Sequence, residues 1–68
     1  MTPEMLAELM LHSEKWSTRS SRYASELTGA HLVETKWSGI TRHRRLTPLG
    51  LRVQQAALAA ARKAMING

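Results

Sequence analysis

Cysteine is absent from the 68-residue sequence, so neither a disulfide nor a thiolate metal site can brace the fold. That absence fits a reducing cytoplasm. A chain of this length buries only about 60% of the surface that its unfolded form exposes. Marginal stability follows, and a self-associating surface that makes a homodimer is the expected remedy. Long apolar runs are missing as well, since no stretch approaches the roughly 20 residues of a membrane span. The first residues carry Glu4 and Glu8 where a secretory signal has a basic flank and an apolar run. Together these absences predict a cytoplasmic protein with no membrane partner.

Signatures of catalysis are equally scarce. His12, His31 and His43 lack metal-ligand spacing and fall in different predicted elements. No nucleophile motif or carboxylate pair stands near a base, and no glycine loop is built to cradle a phosphate. The sequence predicts a non-enzymatic protein with no cofactor and no metal.

Acidic residues are missing from the second half of the chain. The formal net charge is +5, and its distribution is one-sided. Glu4, Glu8 and Glu14 precede the first basic residue, Lys15. After Glu34 no acidic residue occurs, while Lys36, Arg42, Arg44, Arg45, Arg52, Arg62 and Lys63 follow. Such an asymmetry favours a polyanionic partner on one face. Solubility is the plain alternative for the charge as a whole, and protection of an exposed hairpin edge is the plain alternative for the Arg42–Arg45 cluster.

The pattern along the chain predicts one domain, mainly α with a two-stranded β-hairpin. Thr2-Pro3 marks a capped helix start, and Met5, Leu6, Leu9 and Met10 recur at helical spacing over about residues 3–12. A second helix is expected over about 18–29, with Tyr23, Ala24 and Leu27 on its apolar face and Ser21, Arg22, Ser25 and Thr28 on the other. Gly29 to His31 ends it. The alternation Val33, Thr35, Trp37 predicts a strand, Ser38-Gly39 a turn, and Ile40 to Leu46 the returning strand, a hairpin over about 32–46. Thr47-Pro48 repeats the first helix start and opens a long helix over about 48–66. Trp16 and Trp37 are expected as core or interface anchors rather than base-stacking residues.

The segment Ser21–Glu34 resembles the recognition helix and first wing strand of winged helix-turn-helix regulators of the MarR and PadR types. Leu27 and Leu32-Val33-Glu34 keep that family's spacing. Arg45-Leu46-Thr47-Pro48-Leu49-Gly50 resembles the Arg-Leu-Thr-Pro-x-Gly step by which the chain leaves the wing. The likeness covers roughly residues 17–55. His31 stands where the family usually has glycine, and few residues remain between the first two helices for the family's middle helix. The resemblance implies a reduced winged helix with a long C-terminal helix, from a bacterium or a phage.

What the resemblance implies about function is DNA binding, as a transcriptional regulator or a recombination directionality factor. The recognition helix would enter the major groove while the wing touches the backbone or the minor groove. Arg22 is placed for a bidentate contact to guanine, and Ser21, Ser25 and Thr28 for bases or phosphates. Arg19, Lys36, Arg42, His43, Arg44 and Arg45 would neutralise phosphates. Independently of the resemblance, the alanine-rich face of the last helix makes Leu49, Val53, Ala57, Ala60 and Ala64 the expected dimer seam, with packing against the chain's own domain as the plain alternative. The competing reading is a protein-binding effector that uses a degenerate winged helix to engage a host protein.

Overall fold

A computed structural model describes residues 1–67, and the side chains of residues 1–66. Three helices and one two-stranded antiparallel hairpin follow one another as α1 (Pro3–Met10), α2 (Ala24–Gly29), β1 (Val33–Ser38), β2 (Thr41–Leu46) and α3 (Pro48–Asn67). Helix α1 starts as its sequence dictates. Thr2 is extended, its hydroxyl accepts the Met5 N–H at 3.2 Å, and Pro3 fills the first helical position. The helix stops at Met10, two residues earlier than expected. Its end is covered by Gln54 of α3, whose amide donates to the carbonyls of Leu9 at 2.7 Å and His12 at 2.9 Å. Carbonyls left free by the end of a helix are thus satisfied from another element.

The helix expected over 18–29 is confined to the six residues Ala24–Gly29. Among the described residues, 11–23 form no helix. The cause lies in Ser17, whose backbone exchanges both hydrogen bonds with Arg44 in an antiparallel bridge, at 2.9 and 2.8 Å. Its hydroxyl also accepts the Arg19 N–H at 3.1 Å. Hydroxyl side chains that bond nearby backbone compete with helix formation, and the segment Ser17–Ser21 is rich in them.

Helix α2 closes in a Schellman arrangement. The Leu32 N–H reaches the Leu27 carbonyl and the His31 N–H reaches the Thr28 carbonyl, both at 3.0 Å. The left-handed residue this motif needs is His31, with φ of 62°. Leu27 and Leu32, which flank it, are both in the core. The hairpin pairs Val33 with Leu46 at its base and Ser38 with Thr41 at its end. Its two-residue loop is Gly39-Ile40, one residue later than the expected Ser38-Gly39 turn, because Ser38 still pairs with Thr41 and Ile40 falls outside the returning strand. Gly39 has φ of 62°, the positive value that a hairpin turn requires at its first central position.

Helix α3 leaves the hairpin through Thr47, which acts twice. Its hydroxyl accepts the Gly50 N–H at 3.0 Å and donates to the His31 carbonyl at 2.5 Å. The core is Leu9, Leu27, Leu32, Val33 and Leu46, with Leu6, Tyr23, Leu51 and Val53 packed against it. Each enclosed side chain contributes about 1.5–3 kcal/mol, so a core this small leaves little margin. Helix α3 runs for 20 residues, about 30 Å. Beyond Ala57 its described side chains are all exposed, and the molecule is correspondingly elongated at 49 × 19 × 17 Å.

Candidate nucleic-acid interface

Side chains directly opposite each other in an antiparallel pair share one face of the sheet. The register therefore sorts the hairpin into two faces. Val33, Thr35 and Trp37 of β1 lie with Leu46, Arg44 and Arg42 of β2; Glu34, Lys36 and Ser38 lie with Arg45, His43 and Thr41. The base of the first face enters the core through Val33 and Leu46. Its outer part opens with α2 into a cleft of about 460 Å³, lined by Ser25, Thr28, Thr35, Trp37, Arg42 and Arg44 together with Ala24 and Gly29. No carboxylate lines it.

Two guanidinium groups define the charge of this cleft. Arg42 stacks on its cross-strand neighbour Trp37, its guanidinium carbon 4.6 Å from the ring centroid. Such a stack holds an arginine in place while leaving its edge free to donate. Arg44 is only 9% exposed, and its Nη1 donates to the Arg19 carbonyl at 3.2 Å. Neither arginine pairs with a carboxylate among the described residues. A buried, unpaired charge is costly until an anion approaches it. The field of Arg44 also reaches His12. Burial lowers the pKa of that imidazole, Glu8 opposes the shift, and Arg44 and Arg19 add to it.

The opposite face is already neutralised in part. Arg45 donates through Nε to Glu34 Oε1. The ring of Trp16 carries the Lys36 ammonium at 4.3 Å and the Arg45 guanidinium at 4.4 Å. A smaller recess is lined by Glu14 and Glu34 with Arg45, so it holds two carboxylates against one cation. Its two carboxylates make it less suited to phosphate than the cleft.

The ten residues expected at a DNA surface thus fall into three groups. Ser25, Thr28, Arg42 and Arg44 converge on the cleft. Lys36, His43 and Arg45 lie on the other face of the hairpin. Arg19, Ser21 and Arg22 precede α2 in non-helical chain. Within this last group the Ser21 hydroxyl donates to Glu8 Oε2 at 3.4 Å. Arg22 is exposed but, with the helix starting only at Ala24, stands outside it.

Thr35 and Trp37 join the cleft without having been expected there. Strand alternation from Val33 was the signal that reaches them. Trp37 is no core anchor, being 61% exposed. Of the expected dimer seam, Val53 packs against the chain's own core and Ala57 is half-buried, while Leu49, Ala60 and Ala64 are exposed.

Comparisons with family models, with curated proteins and with solved structures found no match to this chain. No helix among the described residues is long and apolar enough to cross a membrane.

Proposed function

We propose that this chain is a small, non-enzymatic DNA-binding protein built as a reduced winged helix. The order of elements supports the winged reading: helix, a one-residue bridge at Ser17 beside β2, helix, hairpin, long helix. The observation that carries the function is the cleft between α2 and the hairpin. It gathers three hydroxyl side chains and two guanidinium groups, and it contains no carboxylate. Charge-assisted donors from arginine with short hydroxyl donors beside them suit one strand of a phosphate backbone. The exposed face of α2 would then lie over the major groove, and the hairpin over the adjacent minor groove.

A transcriptional regulator and a recombination directionality factor share this chemistry, and the DNA site bound would separate them. A homodimer through α3 in a bacterial or phage-infected cytoplasm completes the proposal. The two indole groups supply a direct test, because Trp37 lines the cleft and Trp16 lies beneath Lys36 and Arg45. Titration of duplex DNA into the labelled protein should move the Trp37 indole N–H resonance and leave that of Trp16 nearly still. Movement of Trp16 alone, or of neither, would overturn the assignment of the cleft.

A second reading has its own observation. Leu58, Met65 and Ile66 stand exposed on the free part of α3. An apolar helix face of this kind also suits a host-protein partner. Recovery of one stoichiometric host protein, with no DNA affinity, would select that reading.

A further inference from the structure

Ile40 occupies the second position of the hairpin loop and is 95% exposed. Nothing in the fold calls for an isoleucine there. The loop geometry is met by Gly39, the core lies at the other end of the strands, and turn positions favour short polar residues. A β-branched apolar side chain therefore projects into solvent at the outermost point of a hairpin whose six-residue strands reach about 20 Å. Its surroundings are specific. Trp37 and Arg42 stack as the next cross-strand pair but one, and the only side chains between them and the tip are Ser38 and Thr41. No acidic residue lies on the hairpin beyond Glu34, near its base.

We infer that Ile40 is a wedge that enters a base step from the minor groove and bends the duplex. The inference rests on the DNA-binding reading and extends it to the shape of the bound DNA. An apolar residue inserted between base pairs unstacks them and kinks the helix by about 20–90°, and isoleucine is among the residues that do this. Cations beside such a wedge hold the flanking phosphates. Arg42, fixed on Trp37 in the second pair below the loop, stands where they would pass. Flexible pyrimidine–purine steps yield to such a wedge most readily, so a preference for them follows without hydrogen bonds to bases. An anionic membrane is the other partner that an apolar tip among cations could suit. The hydroxyl-lined cleft, whose outermost lining pair is Trp37 and Arg42, favours the duplex, since its hydroxyl and guanidinium donors suit phosphates.

The test uses the full chain, a duplex of about 25 base pairs labelled at both ends for energy transfer, and 2-aminopurine at a central pyrimidine–purine step. The length lies within the range over which a bend of this size is measurable. Binding should shorten the end-to-end distance and raise 2-aminopurine emission. Ile40→Ala should abolish both signals, weaken binding by less than about tenfold, and leave the salt dependence unchanged because no charge is altered. Its exposure predicts an unchanged circular dichroism spectrum.

Binding with the expected salt dependence but a straight duplex, or equal bending by Ile40→Ala, would overturn the wedge and leave the DNA-binding reading standing. Absence of salt-dependent DNA binding would remove both. Binding to anionic vesicles that Ile40→Asp abolishes, with no bending of DNA, would assign the tip to a membrane and likewise overturn the wedge.

Discussion

Gly50 and Leu32 stand so close that a Cβ built on the glycine would lie 2.0 Å from the Leu32 carbonyl oxygen. The same carbonyl accepts the Thr47 N–H at 3.1 Å. Thr47 in turn caps α3 at Gly50 and ties its hydroxyl to His31. The Thr-Pro-x-Gly step is therefore a clamp between the start of α3 and the end of α2. Gly50→Ala should destabilise the protein by about 3 kcal/mol or more, the upper end for overpacking, because the obstacle is backbone. Thermal unfolding measures it. A melting temperature unchanged or raised by the helix propensity of alanine would show that the two segments do not approach this closely.

His31 carries the left-handed conformation that ends α2. A non-glycine residue pays about 1–2 kcal/mol for it, of which part is returned by the smaller unfolded-state entropy of histidine compared with glycine. His31→Gly should raise stability by about 0.5–1 kcal/mol, or several degrees in a domain of this size. A lower melting temperature would contradict the Schellman geometry.

Burial holds the pKa of His12 below its ordinary 6.5. The unfolded chain therefore takes up a proton at this site at a higher pH than the folded one does. Stability from neutral His12 is complete above about pH 6.5 and is lost as pH falls from there towards the folded value. Denaturant midpoints between about pH 7.5 and 5.5 should fall for the wild type and flatten in His12→Gln. Equal slopes in the two proteins would assign the acid sensitivity elsewhere.

Ala60 and Ala64 lie on the part of α3 that the rest of the chain leaves uncovered. If that part is the seam of a homodimer, Ala60→Glu with Ala64→Glu places charges inside it and should give a monomer by sedimentation. The folded core, which neither residue touches, should keep its circular dichroism. An unchanged dimer mass would move the seam away from α3, and a monomeric wild type would remove it.

Much of the fold was legible from local chemistry. Thr2-Pro3 and Thr47-Pro48 announced two helices, and alternation from Val33 to Trp37 with Gly39 after it announced the hairpin. The length of α2 was not legible, because what shortens it is a bridge from Ser17 to Arg44, 27 positions away in sequence. The site shows the same division. Arg42, Arg44 and Arg45 form one cluster in sequence, yet the pleat sends Arg45 to the face opposite the other two. There Glu34 and Trp16 engage it, and neither partner is evident from the basic run itself. Trp37, expected as a core or interface anchor, lies outside the core and lines the cleft beside Arg42.

The salt dependence of duplex binding tests the central claim most directly. Arg42 and Arg44 line the cleft, Arg19 and Arg22 stand in the chain before α2, and none of the four pairs with a carboxylate among the described residues. Four phosphate contacts per protomer give a slope of log K against log salt of about −3 to −4. Anisotropy of a labelled mixed-sequence duplex should return that slope for the wild type. Arg42→Ala should make it shallower by about 1 for all sequences alike, whereas Arg45→Ala, whose charge Glu34 already balances, should change it far less. Binding weaker than about millimolar at low salt, which is below even ordinary non-specific affinity, or binding without a salt slope, would contradict the account.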